Sequence, residues 1–202
     1  MTAIKICGLT RPEDIAAVNR AKPDYAGFVF WPKSRRTVDA ETAHRLRRAL
    51  APDIPAVGVF VNQPIEDILR LLRMGVIDIA QLHGHETDED IIKLRERGGK
   101  PVWKAFKVRS KEDLTRAEAS LADLVLLDNG YGTGERFDWG LLSRPPERPW
   151  LLAGGLTPEN IPEAIRAFSP CGIDISSGVE TDGRKDPDKI MAAVAAARRY
   201  DR

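Results

Sequence analysis

The segment PWLLAGGLTPENIPEAIRAFSPCGIDISSGVE, residues 149–180, contains one complete unit of a repeating pattern. A short apolar run ends in two glycines. An amphipathic stretch follows from near Thr157, and a second apolar run, residues 172–177, ends in two serines. Strand, helix and strand in that order predict a βαβ unit with parallel strands. Outward from this unit the alternation reaches both ends of the chain, with strand-like runs at 3–8, 24–30, 55–61, 77–83, 101–106, 123–128, 149–154 and 172–177. Helical patterns begin near Thr10, Asp39, Asn62, Thr87, Ser110, Thr157 and Asp186, polar residues able to cap a first turn. Pro12 and Pro64 fall near first-turn positions, where proline is tolerated. The stretch FDWGLL, 137–142, is too short for more than a turn or two of helix. Eight strands and about seven helices close most simply as a single-domain (β/α)₈ barrel over residues 1–202; an open doubly wound sheet shares the local pattern.

The bulk properties fit a folded, soluble chain. Of 202 residues 43% are hydrophobic and 30% charged, which supports a core and argues against disorder. A net charge of +1 leaves no global footprint for nucleic acid or an anionic membrane, so any anion site is local. The opening MTAIKICGLT lacks the features of a signal peptide, and no run approaches the roughly 20 apolar residues that span a bilayer. A cytoplasmic location is expected. Cys7 ends the first strand and Cys171 precedes the eighth, which puts them at opposite ends of adjacent staves. Their separation, on the order of 15 Å, exceeds the ~7 Å limit for a disulfide, so both are expected to be free thiols.

In a barrel, the C-terminal strand ends and the loops after them face the active site. Position therefore nominates Cys7, His83, Asp128, Gly154, Gly155, Ser176, Ser177 and Gly178. By residue type Cys7 is a small apolar filler; at a strand end, beside Gly8 and a helix N-terminus near Thr10, it becomes a candidate thiolate base or nucleophile of lowered pKa. Asp128 leaves an apolar stave for the barrel mouth and reads as a general acid or as a loop cap. The Gly154–Gly155 and Ser176–Gly178 loops follow consecutive strands, where barrels often hold phosphate on backbone N–H groups. Lys33, Arg35 and Arg36 form a basic cluster in which a guanidinium is able to grip a carboxylate, although at least two of the three should be solvated. Residues 130–135, GYGTGE, have the composition of a mobile lid with Gly132 and Gly134 as hinges or turns. His83 should line the pocket and His85 the surface, with no third ligand at metal spacing; no GxGxxG follows the first strand. Trp103 and Trp150 read as core.

The motifs KICGLT (5–10), GFVFWPKSRR (27–36), VGVFVN (57–62), QLHG (81–84), LLDN (126–129), LAGGLTPEN (152–160) and DISSGVE (174–180) together resemble, in order and spacing, the phosphoribosylanthranilate isomerase family of tryptophan biosynthesis. The glycine loop leading to FDW also fits. The resemblance implies an Amadori rearrangement of a phosphorylated small molecule, without metal or cofactor. It also implies Cys7 as general base, Asp128 as general acid and Arg36 on the anthranilate carboxylate. Gly154, Gly155, Ser176, Ser177 and Gly178 would form the phosphate cradle, and Asp174 would bond the sugar. The oligomeric state, monomer or homodimer, stays open. The related isomerases of histidine biosynthesis carry an aspartate at the Cys7 position, which counts against them. A silent metabolite-binding barrel would not need both Cys7 and Asp128.

Overall fold

The computed structural model describes residues 2–128, 139–143 and 145–199. Its strands are β1 (Ala3–Cys7), β2 (Tyr25–Val29), β3 (Ala56–Phe60), β4 (Ile79–Leu82), β5 (Val102–Lys107), β6 (Leu124–Asp128), β7 (Trp150–Ala153) and β8 (Gly172–Ile175). Each pairs in parallel with the next, and β8 returns to β1 to close the barrel. The helices are α1 (Pro12–Ala21), α2 (Ala40–Ala49), α3 (Ile65–Arg73), α4 (Asp88–Gly98), α5 (Lys111–Ala119), α6 (Ile161–Phe168) and α7 (Pro187–Arg198). After β6 only a 3₁₀ turn, Trp139–Ser143, is described. The expected glycine lid, 130–135, lies outside the described residues.

Strand parity sorts side chains into two cores, because successive residues point to opposite faces. Ile4 and Ile6 of β1, Leu152 of β7 and Ile173 of β8 join the cluster under the helices. Their neighbours in sequence point inward. Val57, Ile79, Trp103, Leu126 and Leu151 fill the barrel, with Tyr25 packed edge-on against Trp103 at 4.9 Å between ring centroids. The same inward parity places Lys5, Cys7, Gln81 and Asp128 among the buried residues at the C-terminal side of this apolar filling. Trp150 belongs to the outer core and Trp103 to the inner one.

Helix starts at Asp39, Thr87, Ser110 and Asp186 fall where the sequence puts them. Three others shift. Arg11 rather than Thr10 precedes α1, because Asp14 accepts from the backbone N–H groups of both. Asn62 has φ 54° and spends its Oδ1 on the His85 N–H, so Pro64 flanks α3 instead. Asn160, not Thr157, precedes α6, and its Oδ1 accepts from the Thr157 N–H. Both cysteines are free, Cys7 buried and Cys171 exposed. Among the described residues no helix is long and apolar enough to cross a membrane.

Candidate active site

A cavity of about 430 Å³ opens at the C-terminal ends of the strands. Cys7 and Asp128 line it from β1 and β6, with Asp174 from β8 and His83 just after β4. Arg36 lines it from the β2 loop, and Gly154, Gly155, Ser176 and Ser177 from the loops after β7 and β8. Gly178 does not line it but locks two of those loops together. A Cβ there would lie 1.8 Å from the Leu156 carbonyl oxygen, so only glycine permits the approach. Gly154 and Gly155 have φ of 88° and 65°, left-handed values that a side chain would strain. The serines lead into a short turn of 3₁₀ helix, Ser177–Val179.

The basic cluster divides as expected. Lys33 and Arg35 are exposed, whereas Arg36 is buried. What fixes Arg36 is Glu180, whose two oxygens accept from Nε at 2.6 Å and Nη2 at 3.1 Å. A two-strand hairpin, β9 (Glu180–Thr181) with β10 (Arg184–Lys185), sets Lys185 directly opposite Glu180. The Lys185 ammonium donates to Glu180 Oε1 at 2.9 Å and to the Ser176 carbonyl at 2.8 Å. Ser176 Oγ in turn donates to the Cys7 carbonyl at 2.9 Å. Exposed Arg35 also donates to Glu180 Oε2 at 2.8 Å, so three cations, two of them buried, share one carboxylate and this wall carries a net positive charge suited to anions.

Burial alone would raise the Glu180 carboxyl, but the Arg36 hydrogen bonds and the Lys185 charge reverse this and take it from 4.5 to about 2. Because the folded-state value is the lower one, the stabilisation is complete above about pH 4.5 and fades as pH falls toward 2. Glu180→Gln should be less stable than the unaltered chain at neutral pH and should lose less on acidification through that window. Denaturant unfolding across the pH range tests this, and parallel curves would refute it.

The β1 side of the cavity is more constrained than the sequence suggests. Lys5, fully shielded from solvent, donates to Asp174 Oδ2 at 2.8 Å. Burial would lower its pKa, yet Asp174 and the Cys7 sulfur hold its proton more tightly than usual. The expected lowering of the Cys7 pKa is not met: burial pushes the thiol up, with Lys5 and Lys185 pulling down and Asp174 pushing up. The α1 N-terminus already has an anion of its own, since Asp14 accepts from the Thr10 and Arg11 N–H groups there. On the opposite side His83 Nε2 lies 3.2 Å from Asp128 Oδ2. His85 is exposed. Among the described residues no three His, Cys, Asp or Glu side chains gather to hold a metal ion.

Lys5, Gln81, Glu180 and Lys185 are the site groups that sequence reading missed. Lys5 and Gln81 each stand two residues before a nominated one, Cys7 and His83, and so share its strand face. Glu180 closes the DISSGVE motif.

Comparison with known proteins agrees with this fold. The family model described as N-(5'phosphoribosyl)anthranilate (PRA) isomerase matches residues 4–196. The N-(5'-phosphoribosyl)anthranilate isomerase of Acetivibrio thermocellus is 45% identical, covering 100% of this chain and 98% of its own. A crystal structure of phosphoribosyl anthranilate isomerase in complex with reduced 1-(o-carboxyphenylamino)-1-deoxyribulose 5-phosphate superposes with a TM-score of 0.85 at 38% identity, covering 98% of this chain and 99% of that one. Monomers generated from the dimeric enzyme of Thermotoga maritima give 0.86 at 39% identity, with the same shares covered. With the barrel closed, the cavity placed and the family model matched over nearly the whole length, the chain belongs to the N-(5'-phosphoribosyl)anthranilate isomerase family.

Proposed function

We propose that the chain converts N-(5-phosphoribosyl)anthranilate to 1-(2-carboxyphenylamino)-1-deoxyribulose 5-phosphate in tryptophan biosynthesis. The observation that carries this reading is that Cys7 and Asp128 line one cavity from well-separated staves, together with Arg36 and the two phosphate-type loops. Asp128 protonates the ring oxygen, the C1–O bond breaks and C1 becomes a Schiff base. Cys7 as thiolate takes the C2 proton, and the resulting enolamine tautomerises to the ketone. C1 is reduced as C2 is oxidised, so the redox change balances within the substrate and acid–base groups suffice. His83, beside Asp128, is placed to relay its proton.

The phosphate rests on the loops of Gly154, Gly155, Ser176 and Ser177, held together by Gly178. Arg36 takes the anthranilate carboxylate: its bonds to Glu180 use Nε and Nη2, which leaves the Nη1 hydrogens for another acceptor. Asp174 receives a sugar hydroxyl. All of these groups come from one chain, so a monomer or a homodimer is equally competent. Reducing conditions in the cytoplasm keep the Cys7 thiol available.

Loss of phosphoribosylanthranilate fluorescence with purified protein, in the absence of metal and nucleotide, tests the assignment; no turnover above background would refute it. Arg36→Ala should act mainly through KM, raising it roughly 10- to 100-fold, the range for a lost hydrogen bond to a charged group. An unchanged KM would remove Arg36 from the carboxylate end.

A further inference from the structure

We propose that Lys5 is a positioning residue for the base: its buried ammonium, anchored by Asp174, stabilises the Cys7 thiolate as an internal ion pair that strengthens when substrate engages Asp174. This rests on the reading of Cys7 as the base. Lys5 stands two residues before Cys7 on β1, so both side chains enter the barrel, and in the β1–β8 register Lys5 lies opposite Asp174. With no exposed surface, the ammonium needs an anion to stay charged there, and Asp174 Oδ2 at 2.8 Å supplies one.

The carboxylate uses one oxygen for that task. Asp174 Oδ1 is buried without a hydrogen-bond partner among the described residues, on a side chain that lines the cavity. A buried acceptor left open is costly unless something arrives to fill it. A sugar hydroxyl is a donor of the right kind. The groups acting on the Cys7 sulfur are Lys5 and Lys185, which favour the thiolate, and Asp174 and burial, which oppose it. When a substrate hydroxyl donates to Oδ1, Asp174 repels the sulfur less and competes less for the Lys5 proton, so Lys5 turns its charge to the sulfur. The thiol proton leaves to solvent through the open cavity. In the reaction the S–H bond then forms as C2–H breaks; the freed pair becomes the C1=C2 bond and the C1=N pair moves to nitrogen.

The test is the pH dependence of Cys7 alkylation by iodoacetamide in a Cys171→Ser background, with circular dichroism to confirm folding. Lys5→Met should move the midpoint up by about one pH unit or more, and Asp174→Asn should move it down. Both substitutions break the same ion pair, so a purely structural role would move both midpoints in one direction or neither. The double variant Lys5→Met/Asp174→Asn buries no unpaired charge, which guards against misfolding of the single variants; its midpoint should lie above that of the parent, since Lys5 shares the strand face of Cys7 whereas Asp174 stands on the neighbouring strand, diagonal to it. In the parent enzyme the basic-group limb of kcat should fall at lower pH than that of kcat/KM, and the gap should close in Asp174→Asn. An unmoved midpoint in Lys5→Met and in the double variant, or an upward shift in Asp174→Asn, would overturn the proposal. Alkylation reads the sulfur directly, whereas turnover of Cys7→Ser reads its role as base, so failure of one is distinguishable from failure of the other.

Discussion

Cys7→Ser is expected to lower kcat by about 10²- to 10⁴-fold while leaving the affinity for a product analogue within about twofold. The exchange replaces sulfur by oxygen at a buried strand end and keeps nearly the same shape, so packing changes little. The chemistry changes greatly. Burial already holds the thiol above its ordinary pKa, and a serine hydroxyl is a far weaker acid still, so no useful fraction of alkoxide forms near neutrality. The raised thiol pKa also fixes a sign: the thiolate fraction of the free enzyme, and with it kcat/KM, climbs as pH rises toward the alkaline side of an ordinary thiol. Stopped-assay kcat values and a pH series check both statements. Retention of the parent kcat would show that another group takes the C2 proton.

Asp128→Asn should cause a loss of similar size for a different reason. The amide keeps the length of the carboxyl and its place 3.2 Å from His83, but it has no titrating proton to give to the ring oxygen. KM should stay close to that of the parent, because in the proposed mechanism the group acts on a bond that breaks only after binding. The double variant with Cys7→Ser is informative. In the proposed mechanism ring opening precedes proton abstraction, so the losses should not multiply: whichever step has become slower governs the rate. A kcat for Asp128→Asn equal to the parent's would remove Asp128 from ring opening.

These two residues were legible because a barrel converts sequence position into place. Once eight runs were counted, Cys7 and Asp128 had to emerge at one end, and the observed strands differ from the sequence ranges by no more than two residues at either end. The supporting groups were less visible. Lys5 in an apolar strand, or Glu180 and Lys185 in a short charged stretch, read locally as solvated side chains; only barrel closure and the β9–β10 hairpin bury them. The same limit explains the Cys7 acidity. A helix N-terminus close in sequence suggested a lowered pKa, but Asp14 caps that helix and burial dominates the thiol. Helix starts slipped wherever a polar residue had a tertiary use for its side chain, as Asn62 does with the His85 N–H.

Glu180 binds Arg36 on one side and, through Lys185, the Ser176 loop on the other. On the proposed reading, the grip for the aromatic acid and the rest for the phosphate would therefore be the two jaws of one calliper, set by a single carboxylate. A substrate would then be gauged by the span between its two anionic ends. An analogue with the right chemistry but a longer or shorter reach should fail at one jaw. Redesign toward a longer substrate would accordingly begin at Glu180 and the hairpin that carries it, rather than at the residues that move protons.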